Sequence, residues 1–277
     1  MPTPRIGFQG EKGSFSEDAV MKFFVQAEPV PFQYFSLVFE AVSKGAIDHG
    51  VVPVENSQAG SINDTYDLLL QYDLNIIGEI YLQVKHCLLA LRGETIDSIS
   101  TIYSHPQALA QCEEFLSSLK AKLIPTYDTA GSAKLIKAES LKNAAAIASK
   151  RVADIYEMEI LAEGIETNPM NFTRFFVIST ENAKYTENSK TSLIFRTKNT
   201  PGALYQSLGA FANRDINLNK LESRPAKDTP WEYIFYVDFE GHAELKHCRE
   251  ALAELESKCS FLKLLGSYPQ TQITESE

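Results

Sequence analysis

The chain of 277 residues has only four cysteines, and their placement suggests neither a disulfide framework nor a metal site. Cys87, Cys112, Cys248 and Cys259 are widely scattered and lack the short spacings of zinc ligands. The histidines at 49, 86, 242 and 247 lack such spacing too, so no metal ion is expected. Isolated thiols are typical of a protein in a reducing cytoplasm.

A transmembrane segment and a secretory signal are also missing. No uninterrupted apolar stretch reaches the roughly 18 residues that a membrane-spanning helix needs. The first residues, MPTPRIGFQGEKGSF, contain neither an apolar core nor a small-residue cleavage site. We therefore expect a cytoplasmic protein that does not interact with a membrane.

Positive charge is scarce, with 26 Lys and Arg against 36 Asp and Glu and a net charge of −10 at pH 7. This balance argues against a nucleic-acid partner, which would need a basic face. An anionic ligand would be held by local donors and helix N-termini instead. No Walker A loop, GxGxxG fingerprint or GxSxG elbow occurs, so no nucleotide is indicated and no serine-hydrolase site can be argued.

The composition is that of a globular protein, with 44% hydrophobic and 22% charged residues, and the length fits two or three domains. In the first half, strand-like and helix-like pieces alternate. We predict a strand at 5–9 and helices at 14–24, 36–45 and 61–73. This alternation predicts an α/β fold with a largely parallel sheet and right-handed crossovers.

A second set of strand and helix units precedes the segment NPMNFTRFFVIST (168–180), which ends in a buried strand. Because so short a piece would not form its own domain, we expect it to return to the first lobe. The predicted domain of residues 1–183 then has lobe 1 (1–77 and 168–183) and lobe 2 (78–167). Two crossings between the lobes create a hinge cleft, where ligands of open α/β sheets bind.

Residues 181–190 are polar without apolar periodicity and read as a linker. Beyond them, residues 190–268 read as strand, helix, strand, strand, helix, strand. That order predicts a smaller ferredoxin-like domain, βαββαβ. The tail from Pro269 is expected to fray.

Two short polar segments precede predicted helices. Gly10 and Gly13 permit a tight turn before Ser14, which stands at capping-box spacing from Glu17. The backbone N–H groups of this turn either hold a carboxylate or phosphate ligand or simply form a helix cap. His105 precedes a helix in the second lobe and either lines the cleft or caps that helix.

A denser polar cluster follows the predicted strand in VVPVENSQAGSINDT. It comprises Glu55, Asn56, Ser57, Gln58, Ser61 and Thr65. A simple connector needs one cap and not this many short donors, so the cluster favours a ligand site. A polar turn followed by an N-cap is the structural alternative.

The strand in NFTRFF presents polar residues on both faces. Because side chains alternate along a strand, Asn171, Thr173 and Phe175 share one face and Arg174 points to the other. A donor pair beside an aromatic ring suits a small ring-bearing anion. We expect Arg174 to make a buried structural pair, for example with Glu55.

Together these segments resemble the prephenate dehydratase family. The matching stretches are GFQGEKGSFSE, PVENSQAGSINDTYDLL, SHPQALAQC, NFTRF and KTSLIFRTKNTPGALYQSLGAFANRDINLNKLESRP. The last of them resembles the family's regulatory ACT domain. The resemblance covers essentially the whole chain and implies a two-lobed, periplasmic-binding-protein-like catalytic domain followed by the ACT domain. Since the chain begins with the dehydratase strand, we expect no preceding chorismate mutase domain.

The resemblance implies decarboxylative dehydration of prephenate to phenylpyruvate in L-phenylalanine biosynthesis, without a cofactor. Thr173 is similar to the family's catalytic threonine, and we expect it to donate a hydrogen bond to the departing oxygen. Asn171 and Phe175 would complete the catalytic group. The implied substrate-binding residues are Asn56, Ser57, Thr65, Ser14 and His105, with Glu55 and Arg174 in supporting roles. Ser14 replaces a threonine that many relatives have and keeps the hydroxyl.

In the ACT domain the resemblance implies binding of the effector L-phenylalanine. The implied residues are Thr200, Pro201, Gly202, Ala203, Leu204, Asn217, Leu218, Glu222, Ser223, Arg224 and Pro225. A helix N-terminus at this segment suits the carboxylate of an amino acid. ACT domains commonly pair, so a homodimer or a tetrameric dimer of dimers is expected, with inhibition by population shift.

Two alternatives remain open. Arogenate dehydratase uses the same machinery on the amino-acid analogue of prephenate. A non-catalytic sensor or solute-binding protein would also suit two hinged lobes. However, a secreted binder should show a signal sequence, and a sensor should lack an intact NFTRF.

Overall fold

The computed structural model describes residues 3–226, 229 and 232–272. The helices are α1 (Phe15–Phe23), α2 (Phe35–Ser43), α3 (Asn63–Gln71), α4 (Pro106–Gln111), α5 (Glu113–Ser117), α6 (Thr129–Glu139), α7 (Lys150–Tyr156), α8 (Ala203–Ala212) and α9 (Lys246–Lys258). The strands are β1 (Arg5–Gln9), β2 (Glu28–Phe32), β3 (His49–Asn56), β4 (Gly60–Ser61), β5 (Asn75–Gln83), β6 (Cys87–Ala90), β7 (Thr101–Ser104), β8 (Lys122–Pro125), β9 (Ala144–Ala148), β10 (Glu159–Glu163), β11 (Phe172–Ser179), β12 (Ser189–Thr197), β13 (Leu218–Pro225), β14 (Tyr233–Glu240) and β15 (Cys259–Pro269). Among the helices described, none has the length and apolar character to span a membrane.

The first sheet has the order β2-β1-β3-β11-β5, with β4 beside β3. β1 pairs parallel to both β2 and β3, as the βαβ pattern predicts. The sequence analysis missed β2, because its segment EPVPF contains Pro29 and Pro31. Proline cannot donate a ladder hydrogen bond, but β2 lies at the sheet edge, where that loss is tolerated.

The second sheet has the order β10-β6-β9-β7-β8. Its centre is β9, a fully buried run of sequence AAAIA. The small side chains leave room for α6 and α7, and the resulting core contains Ala130, Ala133, Ile136, Val152 and Ala153. This strand is therefore stabilised by close packing on both faces.

The chain crosses between these two sheets twice, at residues 84–86 and at residues 164–171. A cavity of about 600 Å³ lies at these crossings and is lined from both sides, by Gln58 and Asn171 on one and by α4 and α5 on the other. The two-lobed α/β architecture with a cleft is thus confirmed.

The C-terminal sheet has the order β13-β14-β12-β15, and all of its pairs are antiparallel. With α8 and α9 against one face, the order along the chain is βαββαβ, so the predicted ferredoxin-like domain is confirmed. Its core contains Leu193, Phe195, Phe211, Val237, Phe239 and Leu255. The chain as a whole forms two compact units, residues 3–65 with 80–175 and residues 66–79 with 176–272.

The predicted linker and tail are more ordered than the sequence suggested. Ser189 and Lys190 already belong to β12, and the Lys190 Nζ lies 2.8 Å from Glu79 Oε1 in a buried ion pair. The backbone N–H of Thr271 also donates to Glu79, so the tail is held beyond Pro269. Residues 273–277 of the predicted frayed tail lie outside the described residues.

Candidate active site

Asn56 is the centre of a buried hydrogen-bond cluster that joins the end of β3 to the start of β11. Its Nδ2 donates to Asn171 Oδ1 at 2.8 Å, Thr173 Oγ1 at 3.0 Å and the Phe172 carbonyl oxygen at 3.2 Å. The two hydrogens of Nδ2 are therefore shared among three acceptors of one segment. The clusters around Asn56 and NFTRF, far apart in sequence, form one site.

The orientation of the Asn56 amide is determined by the backbone. Its Oδ1 accepts from the N–H groups of Gln58 and Ala59, both at 3.0 Å. Because a backbone N–H can only donate, this atom must be the oxygen and the opposite one the nitrogen. Thr173 Oγ1 consequently accepts a hydrogen bond from Asn56. The hydroxyl proton of Thr173 is not used in this contact and is left for a different acceptor.

Asn171 has a complementary arrangement. Its side chain is 0% exposed, its Oδ1 is occupied by Asn56, and its Nδ2 has no hydrogen-bond partner among the described residues. A buried donor without a partner costs about 1–3 kcal/mol. Asn171 also lines the 600 Å³ cavity, so a ligand oxygen there would satisfy the Asn171 amide.

Amide and acidic side chains are among the residues that line the cavity. Its lining residues are Gln58, Ala59, Gln107, Ala110, Gln111, Glu113, Glu114, Thr167, Asn168 and Asn171. The amides provide donors for carboxylate and carbonyl oxygens. Glu113 and Glu114 add negative charge, which favours a ligand with a cationic group.

Ser57, predicted to bind substrate, connects two backbone segments. Its Oγ donates to the Met170 carbonyl oxygen at 3.0 Å and accepts from the Phe172 N–H at 2.9 Å. Gln58 Nε2 also donates to the Met170 carbonyl oxygen, at 3.2 Å. Since the Ser57 proton is already used, the structure gives this residue a role in holding the 170–172 segment beside Asn56.

Ser14 and His105 act as helix caps. Ser14 Oγ accepts from the Glu17 N–H at 3.4 Å, and His105 Nδ1 accepts from the Gln107 N–H at 3.2 Å. Burial lowers the pKa of His105. Of the two possibilities left open for each residue, the structure shows the cap. Substrate contacts by Ser14 and His105 stay predictions.

The glycine turn before α1 already holds carboxylates of the protein. The Gly13 N–H donates to Glu17 Oε2 at 2.7 Å, and the Glu11 N–H donates to Asp128 Oδ2 at 3.3 Å. Gly10 has φ 119°, and a Cβ there would lie 2.8 Å from Asp128 Oδ2. The turn requires glycine because of this packing, and the N–H groups of Glu11 and Gly13 are already used by carboxylates of the protein.

Of the remaining predicted residues, Thr65, Phe175 and Arg174 are buried and Glu55 is partly buried. Thr65 is 0% exposed in the first turn of α3, and its Oγ1 has no hydrogen-bond partner among the described residues. Phe175 is 1% exposed and belongs to the hydrophobic core, so the structure does not place it against the ring of a ligand. The Arg174 guanidinium lies 5.8 Å from the centre of the Tyr81 ring. Glu55 pairs with Ser61 in the ladder of β3 and β4.

The sequence analysis missed two residues that extend the Asn56 cluster. Gln111 Nε2 donates to Asn56 Oδ1 at 3.3 Å, and Gln111 Oε1 lies 2.9 Å from His86 Nε2. A signal for Gln111 was available, since Gln107 and Gln111 share one face of an otherwise apolar helix. His86, in a connecting segment, had no comparable signal.

The C-terminal domain contains a cavity of about 220 Å³ at the N-terminus of α8. Its lining residues are Thr197, Lys198, Asn199, Thr200, Gly202, Ala203, Leu204, Tyr205, Glu232, Tyr233 and Phe235. Four residues of the predicted effector site are among them. The predicted residues of 217–225 lie on and beside the edge strand β13 and do not line this cavity within one chain.

Two of these residues on β13 are engaged elsewhere. Glu222 pairs with Lys220 at 3.0 Å, and Arg224 Nη1 donates to Asp67 Oδ1 of α3 at 3.0 Å. Asn217 Nδ2 donates to Glu240 Oε1 at 2.9 Å. The Arg224 guanidinium therefore holds a helix and does not line the cavity that the structure shows.

Comparison with known proteins assigns both domains. Residues 6–183 match the family model described as prephenate dehydratase, and residues 191–257 match the ACT domain. Arogenate dehydratase/prephenate dehydratase 2 of Arabidopsis thaliana is 43% identical over 276 residues, which is 96% of this chain and 72% of that protein.

Two solved structures are also similar. A prephenate dehydratase from Arthrobacter aurescens in complex with L-Phe has a TM-score of 0.88 and 32% identity, covering 96% of this chain and 90% of that one. A protein described as a novel type of quorum quenching acylase, GqqA, also has a TM-score of 0.88, with 33% identity and coverage of 96% and 98%. This chain belongs to the prephenate dehydratase family and is a dehydratase of phenylalanine biosynthesis with a C-terminal ACT domain.

Proposed function

We propose that this protein converts prephenate to phenylpyruvate, water and carbon dioxide. The observation that carries the proposal is the hydrogen bond from Asn56 Nδ2 to Thr173 Oγ1 at 3.0 Å. Because Thr173 accepts there, its proton is available to a leaving oxygen, and the Asn171 amide beside it is available to a carboxylate. The proposed reaction uses side chains of the protein and no cofactor.

The reaction needs alignment more than strong acid or base. As the ring carboxylate leaves as carbon dioxide, the electrons of its C–C bond complete the aromatic ring and the ring hydroxyl departs. That oxygen takes up a proton and leaves as water. A threonine hydroxyl is too weak an acid to titrate, so Thr173 contributes a hydrogen bond that strengthens as negative charge develops on the oxygen.

Arogenate is the second candidate substrate, and a specific feature favours it. Arogenate carries an ammonium group where prephenate carries a ketone, and Glu113 and Glu114 line the cavity. Two carboxylates attract an ammonium group and repel a dianion. Relatives at 41–42% identity are named arogenate dehydratases, and others at 40% and 43% are named arogenate dehydratase/prephenate dehydratase.

Assays of the purified protein on both substrates test these proposals. We expect turnover of prephenate to phenylpyruvate. We also expect the Glu113→Gln/Glu114→Gln variant to lower the arogenate-to-prephenate ratio of kcat/KM about 5-fold, as loss of about 1 kcal/mol of exposed charge attraction predicts. Glu139→Gln, an exposed control at the end of α6, should leave the ratio unchanged.

The outcomes separate the candidate activities. Turnover of neither substrate contradicts the proposed function. Hydrolysis of a fluorogenic N-acyl amide, run in parallel, would favour the acylase activity named for the structural relative instead. An unchanged substrate ratio in the double variant would remove the argument for arogenate.

We further propose that L-phenylalanine inhibits the enzyme by binding to the ACT domain. The 220 Å³ cavity at the start of α8 supports this, because Gly202 has φ 78° and the backbone N–H groups there suit a carboxylate. The predicted residues on β13 would contribute from the ACT domain of a second subunit. This arrangement requires a homodimer or a tetramer.

The helix α3 provides a physical route for regulation. Thr65 occupies its first turn, whereas the helix from Tyr66 onward belongs to the same compact unit as the ACT domain. Arg224 pairs with Asp67, and Lys263 Nζ donates to the carbonyl oxygens of Leu69 and Tyr72 at 3.0 and 2.6 Å. A shift of the ACT sheet therefore acts directly on the helix that carries Thr65.

We predict that Asp67→Asn and Arg224→Gln reduce inhibition by L-phenylalanine while basal kcat stays within about 2-fold. The expected rise in the inhibitory concentration is about 5- to 10-fold, as typical coupling free energies allow. Arg214→Gln is the matched control, because Arg214 pairs with Glu254 inside the ACT domain at 2.5 Å. An equal loss of basal activity and inhibition would show that this contact is only structural.

A further inference from the structure

His86 is buried at one of the two chain crossings and is held there on several sides. It is 2% exposed, and its ring packs edge-on against Phe15 with centroids 5.5 Å apart. Its backbone N–H donates to Glu166 Oε2 at 2.8 Å, and its carbonyl oxygen accepts from the Ile165 N–H at 3.2 Å. Both crossings are thus joined at this residue.

The tautomer of His86 follows from the hydrogen-bond cluster around Asn56, in which His86 is the last member. The backbone N–H groups of Gln58 and Ala59 require Asn56 to present its oxygen, so Gln111 must turn its NH₂ group toward Asn56. Gln111 Oε1 then faces His86 Nε2 at 2.9 Å. A lone pair on Gln111 Oε1 and a lone pair on His86 Nε2 would repel each other at this distance. His86 Nε2 therefore carries the hydrogen.

We propose that His86 is a positioning residue for the dehydration: its Nε2–H holds Gln111, so that Gln111 adds a third hydrogen bond to Asn56 Oδ1 and supports the orientation in which Asn56 donates to Thr173. This inference rests on the proposed function. The hydrogen bonds run in one direction, from His86 to Gln111 to Asn56 and from Asn56 to Thr173. Reversal of the Asn56 amide would turn the Thr173 proton back toward Asn56, and Gln111 adds a third donor to the two backbone N–H groups that oppose this reversal.

The relay also crosses the cleft. Gln111 ends α4 beside the second sheet, and Asn56 ends β3 of the first sheet. Their contact, at 3.3 Å, is the longest in the relay. The relay therefore joins the two lobes beside the cavity that Gln111 and Asn171 line.

A histidine serves here as a neutral donor. Its Nδ1 is buried without a hydrogen-bond partner among the described residues, and burial lowers the pKa of His86, while the nearby Glu166 carboxylate opposes that shift. The ring thus stays neutral where exposed histidines become charged. Since the folded pKa is below the unfolded one, wild-type stability should fall as pH drops through the ordinary histidine value of about 6.5.

Kinetics of His86→Asn and His86→Gln test the proposal. Gln reaches the Nε2 position with an N–H donor, and Asn does not. We expect His86→Asn to lower kcat about 10-fold with KM within about 3-fold, as loss of a supporting hydrogen bond does, and His86→Gln to recover most of that loss. His242→Asn, at a buried histidine that caps a turn of the ACT domain, is the control.

Three further readouts separate positioning from packing. In a Gln111→Met background, His86→Asn should cause less than about a 2-fold further loss, because residues of one network are not additive. Nitrogen NMR of the wild-type protein should show His86 neutral and protonated at Nε2. Between pH 7.5 and 5.5, the wild-type protein should lose unfolding free energy that His86→Gln does not lose.

Any of three results would overturn the inference. They are equal losses of kcat in His86→Asn and His86→Gln, full additivity of His86→Asn with Gln111→Met, and a proton on Nδ1 of His86. If the wild-type protein turned over neither substrate, the proposed function would fail. In that case the tautomer of His86, measured by nitrogen NMR, would still show whether the hydrogen-bond relay exists.

Discussion

Thr173→Ala should lower kcat by about 10²–10³-fold with little change in KM, the effect of removing one hydrogen-bond donor to a developing oxyanion. The change removes the hydroxyl that accepts from Asn56 and that, in the proposed mechanism, donates to the leaving oxygen. Asn56 Nδ2 retains Asn171 and the Phe172 carbonyl oxygen as acceptors, so the unfolding free energy should fall by only about 1 kcal/mol. Steady-state kinetics and urea unfolding measure both effects.

Two matched variants define the role of the hydroxyl. Thr173→Ser keeps it and should retain kcat within about 10-fold, whereas Thr173→Val keeps the volume and should be as impaired as Thr173→Ala. Val activity equal to that of Ser would mean that the side chain fills space and does not donate. Thr173 would then be a structural residue of β11.

Lys190→Met should have the largest effect on stability, a loss of about 3–5 kcal/mol in the free energy of unfolding. The side chains of Lys190 and Glu79 are 4% and 0% exposed, and the Lys190 Nζ lies 2.8 and 3.1 Å from the two carboxylate oxygens. Removing the lysine leaves a buried carboxylate without its cation. Urea titration of the variant measures the loss.

A second substitution tests that explanation. Glu79→Gln in the Lys190→Met background removes the buried charge and keeps an acceptor for the Thr271 N–H, so it should restore part of the stability. Lys150→Met breaks an exposed ion pair with Glu163 and should leave the free energy of unfolding nearly unchanged, because solvent screens this pair. A double variant less stable than Lys190→Met would contradict the role assigned to the buried charge.

Local patterns predicted the backbone well. Ser14 as the N-cap of α1 and His105 as the N-cap of α4 act within one turn, and a cap was one of the two roles that the sequence indicated for each. The missed strand β2 also has a physical cause. The prolines of β2 are unfavourable in a strand except at an edge, and edge position depends on the rest of the sheet.

The regulatory segment shows the same limit for side chains. ESRP could be assigned to the ACT domain from its sequence, but the partner of Arg224 is Asp67, 157 positions earlier in the chain. Lys190 stands in a polar segment that resembles a linker, yet it is buried on Glu79, 111 positions away. No pattern along the chain records such pairs.

By itself, the sequence determined the α/β class, the order of most helices and strands, the ferredoxin-like domain and the polar segments that meet at Asn56. Only the tertiary structure decided which donors remain available there. It turned Ser57, Ser14 and His105 toward backbone partners, placed Phe175 in the core, and added Gln111 and His86 to the cluster. The physical reason is that helices and strands follow from neighbouring residues, whereas a hydrogen-bond partner is chosen by whichever group the fold brings within about 3 Å.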